Sequence, residues 1–379
     1  MTAPPLHGIV VLDFTRHLAG PFATMVLRDL GARVIKVEPP RGDPARRSGP
    51  FQAGDSAYFH PINRGKESVV ADLRDERDVA VLSRLMTRVD CVVEAFRPGV
   101  MDAIGLGHEQ ALGANPRLVY AACSGFGAEG PYARRPAFDV VAQAMGGVMS
   151  LTGEPDGPPV RVGVSQGDIV GGIYTALGVV AALHARAASG AGAYVDLSML
   201  DAQLSLATHA FGIWAATGRD PERIGNRHPA VAPFDVYPAS DGHVAIGTVE
   251  DESFHRMCGA LGLDELAEDE RFATLPARLE NIAQLTAEIT EVLATMTVDE
   301  VLERLLGASV ACGPVLRISE LVEDEHVTER GSLMRLTPWG DGDLPVPGLP
   351  FRLDGRRLAV EERGPELGST TLDQLEREL

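Results

Sequence analysis

The amino-acid sequence predicts an α/β protein: a doubly wound parallel sheet in a large domain, a smaller α+β domain, and a C-terminal return. Three observations carry this. Short Val/Ile-rich runs alternate with helical stretches through the first 200 or so residues, the pattern of β-α-β units. Near Gly218 the composition shifts to acidic helical segments around a hairpin signal, Asp241-Gly242. Beyond about residue 325 the chain is broken by Pro and Gly and lacks the pattern of an independent core, so it is expected to pack back on the first domain. The expected domains are residues 1–225, 226–325 and 326–379.

Each element follows from local pattern. Residues 8–13 are an apolar strand that ends in an acid, Asp13. Residues 21–30 have helical spacing, with Phe22, Met25, Val26 and Leu30 on one face, Pro21 at the start and Gly31 as the stop. Residues 33–38 form the second strand, ended by Pro39-Pro40. A second unit follows as strand 68–72, helix 76–89 and strand 90–94, then a strand at 118–122. Small residues dominate the next region. It reads as a helix at 139–150, a Pro/Gly loop at 153–167 and a helix at 168–185. The glycines at 190 and 192 turn the chain into a strand at 193–197, and a helix at 200–217 leads away.

Charge and composition exclude several function classes. The chain has 379 residues and a formal net charge of −19, which argues against nucleic acid or an anionic membrane surface as partner. Hydrophobic residues make up 45%, ordinary for a globular protein and too many for a disordered one. Cys91, Cys123, Cys258 and Cys312 are too far apart in sequence for a CxxC motif, and the ten histidines show no ligand spacing, so no metal site is expected. Scattered thiols fit a reducing, cytoplasmic setting. The first residues lack the pattern of a signal peptide, and the longest nearly apolar run, 171–183, is too short to span a bilayer.

Two motifs invite a wrong reading. The opening β-α-β unit ends its second strand in Glu38, where a ribose-binding acid would sit. Its first turn, Phe14-Thr-Arg-His-Leu-Ala-Gly20, has no G-x-G-x-x-G, so a nicotinamide dinucleotide is not expected. Gly163-Val-Ser165-Gln-Gly167 fits G-x-S-x-G, which leaves a serine hydrolase open, although no HGGG-type segment precedes it. Asp168 follows directly. It suits an N-cap, or a carboxylate nucleophile at a positive helix end with Gly167, Gly171 and Gly172 leaving space. The same helix end could hold a developing oxyanion. Residues 33–66 carry seven bases (Arg33, Lys36, Arg41, Arg46, Arg47, Arg64, Lys66) against three acids, which suggests either a solvated face or a site for a phosphorylated anion.

Several strings then fall in register. They include Asp13-Phe-Thr, Ala19-Gly-Pro21, Gly31-Ala-Arg-Val-Ile-Lys-Val-Glu38, Asn63-Arg-Gly-Lys66, Glu94-Ala-Phe-Arg-Pro-Gly99 and Ser124-Gly-Phe-Gly127. Arg135-Pro-Ala-Phe-Asp139-Val-Val-Ala-Gln143, Gln166-Gly-Asp168, Gly225-Asn226, Gly313-Pro-Val315 and Gly348-Leu-Pro-Phe351 continue them. Together they resemble the family III CoA-transferases, which also include α-methylacyl-CoA racemases. The resemblance spans essentially the whole chain. It implies a Rossmann-like large domain, a small domain and an interlocked homodimer. It places the nucleophile on Asp168 and CoA contacts at Leu18, Ala19, Arg41, Ala71, Arg74, Ala95, Phe96, Arg97, Phe138 and Asp139. The implied partners are an acyl-CoA and a free carboxylic acid, with the coenzyme A thioester as substrate and no tightly bound cofactor.

Departures from the family pattern narrow this. Phe138 stands where racemases carry a catalytic His, although Glu250 matches the racemase acid. Leu18 stands where the formyl/oxalate enzymes carry Gln, and 227–233 does not match their glycine-rich loop. The expected activity is therefore acyl-CoA:carboxylate CoA transfer to an acceptor larger than oxalate. Arg16, His17, Arg227 and His228 are the candidates to grip a second carboxylate, and the loop 223–234 is the candidate closure. A racemase, a Ser165-dependent hydrolase and a catalytically silent CoA-binding protein are the alternatives.

Overall fold

The computed structural model describes residues 3–379. The chain divides into two compact units: 3–150, 161–221 and 324–379 in the first, and 151–160 with 222–323 in the second. The short stretch 151–160 thus lies outside the large unit, although it falls within the expected 1–225 domain. It holds its partner loop by hydrogen bonds from Gly225 N–H to the Gly153 carbonyl and from Arg223 to the Gly157 carbonyl.

The first unit is built on six parallel strands: β1 (Val10–Asp13), β2 (Arg33–Glu38), β3 (Glu67–Val70), β4 (Cys91–Glu94), β5 (Val119–Ser124) and β6 (Ala193–Ser198). Their order is β3-β2-β1-β4-β5-β6. The strands are nearly continuous apolar runs because both faces are covered. Alternation sorts them: Leu12, Ile35, Val92 and Tyr120 enter one core, and Val11, Val34, Val93 and Ala121 the other. Leu82, Leu85 and Met86 of the helix Glu76–Met86 fill the first core. The second is closed by α1 (Ala19–Asp29), through Ala23 and Leu27, and by the long helix Gln166–Ser189, through Ala176, Val179 and Leu183.

That long helix starts two residues earlier and ends four later than its sequence pattern suggests. At 24 residues it is long and apolar enough to cross a membrane, which the shorter apolar run concealed, yet one side of it packs in the core. It crosses α1 closely. A Cβ on Gly172 would lie 2.7 Å from the Ala19 carbonyl oxygen, so only glycine permits this approach. The helix expected at 139–150 is broken instead into Asp139–Met145 and Val148–Leu151, because Gly146 and Gly147 intervene and Gly147 has φ +84°. Likewise 200–217 is two helices, Met199–Leu206 and Thr208–Thr217.

Residues 324–379 complete the first unit. Leu375 of the helix Leu372–Glu378 joins the core beside Leu82, Thr370 bridges to Val69, and Trp339 Nε1 donates to Gln52 Oε1 at 2.6 Å. In the second unit the strands Phe234–Pro238, His243–Gly247 and Ala311–Pro314 form an antiparallel sheet, with the hairpin turn at Asp241-Gly242. Its own core includes Tyr237, Phe254, Phe272, Leu285, Ile289 and Leu305.

Candidate active site

In an open parallel sheet, ligands gather outside the carboxyl ends of the strands where the strand order reverses. Here that point lies between β1 and β4. A cavity of ≈ 170 Å³ opens there, lined by the loop after β1 and the start of α1 (16–20), the loop after β4 (95–98), Cys123 to Gly125 at the end of β5, Phe138 and Asp168. The close crossing of α1 by the long helix is what carries Asp168 to this place.

Asp168 is the third residue of its helix, not the cap. Ser165 is the N-cap residue and makes no side-chain cap bond. The capping carboxylate comes from Asp139, which accepts the Gly167 N–H at 2.7 Å and the Asp168 N–H at 3.4 Å. Gln143 Nε2 in turn donates to both Asp139 oxygens at 3.0 and 2.9 Å, while Gln143 Oε1 accepts the Val162 N–H at 2.9 Å. The Ile169 N–H goes to the Ser165 carbonyl. The helix end therefore has no spare N–H for an oxyanion in its first turn, contrary to the expectation above. No described group donates to the Asp168 carboxylate. Burial, then the neighbouring Asp139 charge, pushes its pKa up to about 7.

The expected site residues separate into four groups. Arg16, His17, Leu18, Ala19, Ala95, Phe96, Arg97 and Phe138 line the Asp168 cavity. Ala71 and Arg74 line a second cavity of ≈ 280 Å³ with Phe14, Glu38, Pro39 and Pro40. Arg16 and Phe96 line both, and the guanidinium lies 5.0 Å from the Phe96 ring centroid. Arg41 and Asp139 line neither. Arg41 is exposed, and Asp139 serves as the cap just described. Arg227, His228 and Glu250 belong to the second unit. Arg227 donates to the Ile224 carbonyl, the His228 ring lies 5.3 Å from Phe234, and Glu250 caps the helix Asp251–Leu261 with Ser253.

Two sequence readings are corrected. The basic cluster is mostly spent on internal ion pairs: Arg33 with Glu67, Lys36 with Asp43, Arg46 with Glu38, Arg64 with Asp29 and Lys66 with Asp13. It is therefore not an anion site as a whole. Glu38, the apparent ribose acid, is consumed by Arg46, Ser68 and the Asp43 N–H. The Ser165 motif also lacks its context, since no strand precedes it and a nucleophile elbow requires one. Sequence reasoning missed Gln143 as a working residue. Its spacing of four from Asp139 on a helix was the available signal.

Comparison with known proteins decides the family. The family model for CoA-transferase family III matches residues 6–371. The chain belongs to this family. As a family III enzyme it is a CoA-transferase, and its substrates are CoA thioesters. It is 43% identical to an acetyl-CoA:oxalate CoA-transferase of Acetobacter aceti, over 93% of this chain and 90% of that one. It is 38% identical to a succinate–glutarate CoA-transferase of Agrobacterium fabrum, over 96% and 93%. Among solved structures it resembles a CAIB/BAIF family protein from Brucella suis, with 38% identity, a TM-score of 0.87 and 97% of each chain covered.

Proposed function

We propose that this family III enzyme moves CoA from an acyl-CoA to a free dicarboxylate, with Asp168 as nucleophile. The observation that carries this reading is a carboxyl with no hydrogen-bond donor, on the wall of a cavity at the sheet's reversal point. The Asp168 carboxylate attacks the donor thioester carbonyl. The C–S bond breaks, giving an aspartyl–acyl anhydride and CoA thiolate. The thiolate attacks the aspartyl carbonyl, releases the donor acid and leaves an aspartyl-CoA thioester. The acceptor carboxylate then attacks that carbonyl and displaces thiolate, which takes the new acyl group and frees Asp168. Protons and electrons balance without a metal or resident cofactor.

The thioester would lie across both cavities, with Arg16 and Phe96 at their junction and Arg74 and Arg97 toward the phosphates. Arg16 and His17 are the cations beside the acceptor. An acceptor longer than oxalate is the reading we favour, and oxalate, named for the Acetobacter relative, is the competing outcome. Phe138, 66% exposed at the cavity, offers no second base for racemisation. Succinyl-CoA and acetyl-CoA, each offered oxalate, succinate, glutarate and mesaconate, should give new CoA esters by mass spectrometry. Thioester loss with no acceptor-derived ester would refute transfer.

We also propose that the working form is an interlocked homodimer in the cytoplasm. Phe211 and Trp214 on the helix Thr208–Thr217 are 52% and 54% exposed, and Ile173 and Leu177 are exposed on the long helix. Large apolar side chains exposed on two helices favour burial against a second copy. All four cysteines are free thiols, which supports a reducing compartment.

A further inference from the structure

The loop between β1 and α1 enters the Asp168 cavity in a backbone conformation that side-chain-bearing residues rarely adopt. His17 has φ +64°. A left-handed non-glycine residue persists only where its surroundings over-determine it. Here the surroundings include a buried ion pair. Lys36 Nζ, inside β2, lies 2.9 Å from the carboxylate of Asp43, in the turn after β2, and both side chains are at most 1% exposed. Asp43 Oδ1 accepts the His17 N–H at 3.2 Å, and Lys36 Nζ donates to the Thr15 carbonyl at 2.8 Å. One pair thus grips the chain on both sides of Arg16. Asp43 also acts electrostatically on the Arg16 guanidinium, whose buried Nε has no hydrogen-bond partner.

A buried ion pair seldom stabilises a fold more than an apolar pair of the same volume. Its contribution here is to specify conformation. We propose that Lys36 and Asp43 are positioning residues of the transferase site: they hold Thr15, Arg16 and His17 in the left-handed turn that puts Arg16 and His17 on the wall of the Asp168 cavity, and so set affinity for the acceptor carboxylate. The acceptor part rests on the function proposed above; the conformational part does not.

The test removes the pair together, as Lys36→Met with Asp43→Leu, because either change alone leaves a buried charge. The double variant is expected to fold, judged by circular dichroism. Its crystal structure should show His17 out of the left-handed region. With succinyl-CoA as donor, KM for glutarate and for oxalate should rise about ten-fold or more, while kcat at saturation changes less than about three-fold. A purely structural role would lower the active fraction and kcat and leave KM alone. If the double variant does not fold, Lys36→Gln with Asp43→Ala, made alone and in the His17→Gly background, decides. The KM effect should shrink once glycine can hold the turn unaided, and equal effects in both backgrounds overturn the proposal. A retained left-handed His17 overturns the conformational part. A lost turn with unchanged acceptor KM overturns the acceptor part. If the unaltered protein transfers CoA between no donor and acceptor, the proposed function has failed, and the His17 conformation alone then decides this inference.

Discussion

The carboxylate of Asp139 caps the helix that carries Asp168, accepting the Asp168 N–H at 3.4 Å and the Gly167 N–H at 2.7 Å. One acid is thereby spent on the backbone so that the other keeps its oxygens free. The arrangement also places a negative charge beside Asp168. Together with burial this raises the Asp168 pKa to about 7.

A pH dependence follows. In the proposed mechanism the nucleophile is the Asp168 carboxylate, so activity should fall as pH drops through about 7. Asp139→Asn removes the neighbouring charge and should move this acid limb to lower pH. Profiles of kcat/KM for the two proteins check it; an unmoved limb contradicts the electrostatic account.

Stability should show the opposite sign. The folded-state pKa of Asp168 lies above the unfolded one, so the folded protein holds the extra proton. The favourable contribution is complete below the unfolded pKa and is lost as pH rises through about 7. Asp168→Asn should therefore stabilise the protein at pH 8, by on the order of 2–4 kcal/mol, and have little effect at pH 3. Denaturant unfolding at the two pH values measures this.

Gln143 fixes Asp139 and the Val162 N–H at once, and it is fully buried. Gln143→Ala leaves a carboxylate and an N–H without these partners. It should cost about 1–3 kcal/mol in stability and lower kcat more than it raises KM. Chemical denaturation and steady-state kinetics check both.

The phosphate contacts should be unequal. Arg97 is exposed beside the Asp168 cavity, whereas Arg74 already pairs with Asp72 at 2.7 Å and Arg41 lines neither cavity. Arg97→Ala should raise KM for acyl-CoA about ten-fold, since a charge-assisted contact is worth roughly 1.5–3 kcal/mol. Arg74→Ala should do less and Arg41→Ala least. Equal effects of all three would show that the thioester does not lie along these cavities.

What the sequence disclosed was local. Strands such as Arg33–Glu38 are apolar runs between turn residues, and their pattern needs no knowledge of the rest of the chain. The hairpin at Asp241-Gly242 is equally local. Long-range pairing was not legible. Seven clustered bases resembled an anion site until Glu67, Asp29 and Asp13 were seen to take three of them. Asp139 was expected at CoA from the resemblance alone, and its bond to the Gly167 N–H, 28 positions away, is legible in neither segment. The break at Gly146 and Gly147 was written in the sequence, but two glycines in a small-residue helix do not by themselves announce a stop.

The central claim is that Asp168 carries the acyl group. Succinyl-CoA is added without acceptor, the mixture is quenched with hydroxylamine, and the peptide containing residues 165 and 168 is analysed by mass spectrometry. The account predicts an aspartyl hydroxamate at Asp168, absent in Asp168→Asn, with Ser165→Ala labelled and active like the unaltered protein. A succinyl ester on Ser165 in a parallel sample quenched with acid instead, with Asp168→Asn still active, would contradict it.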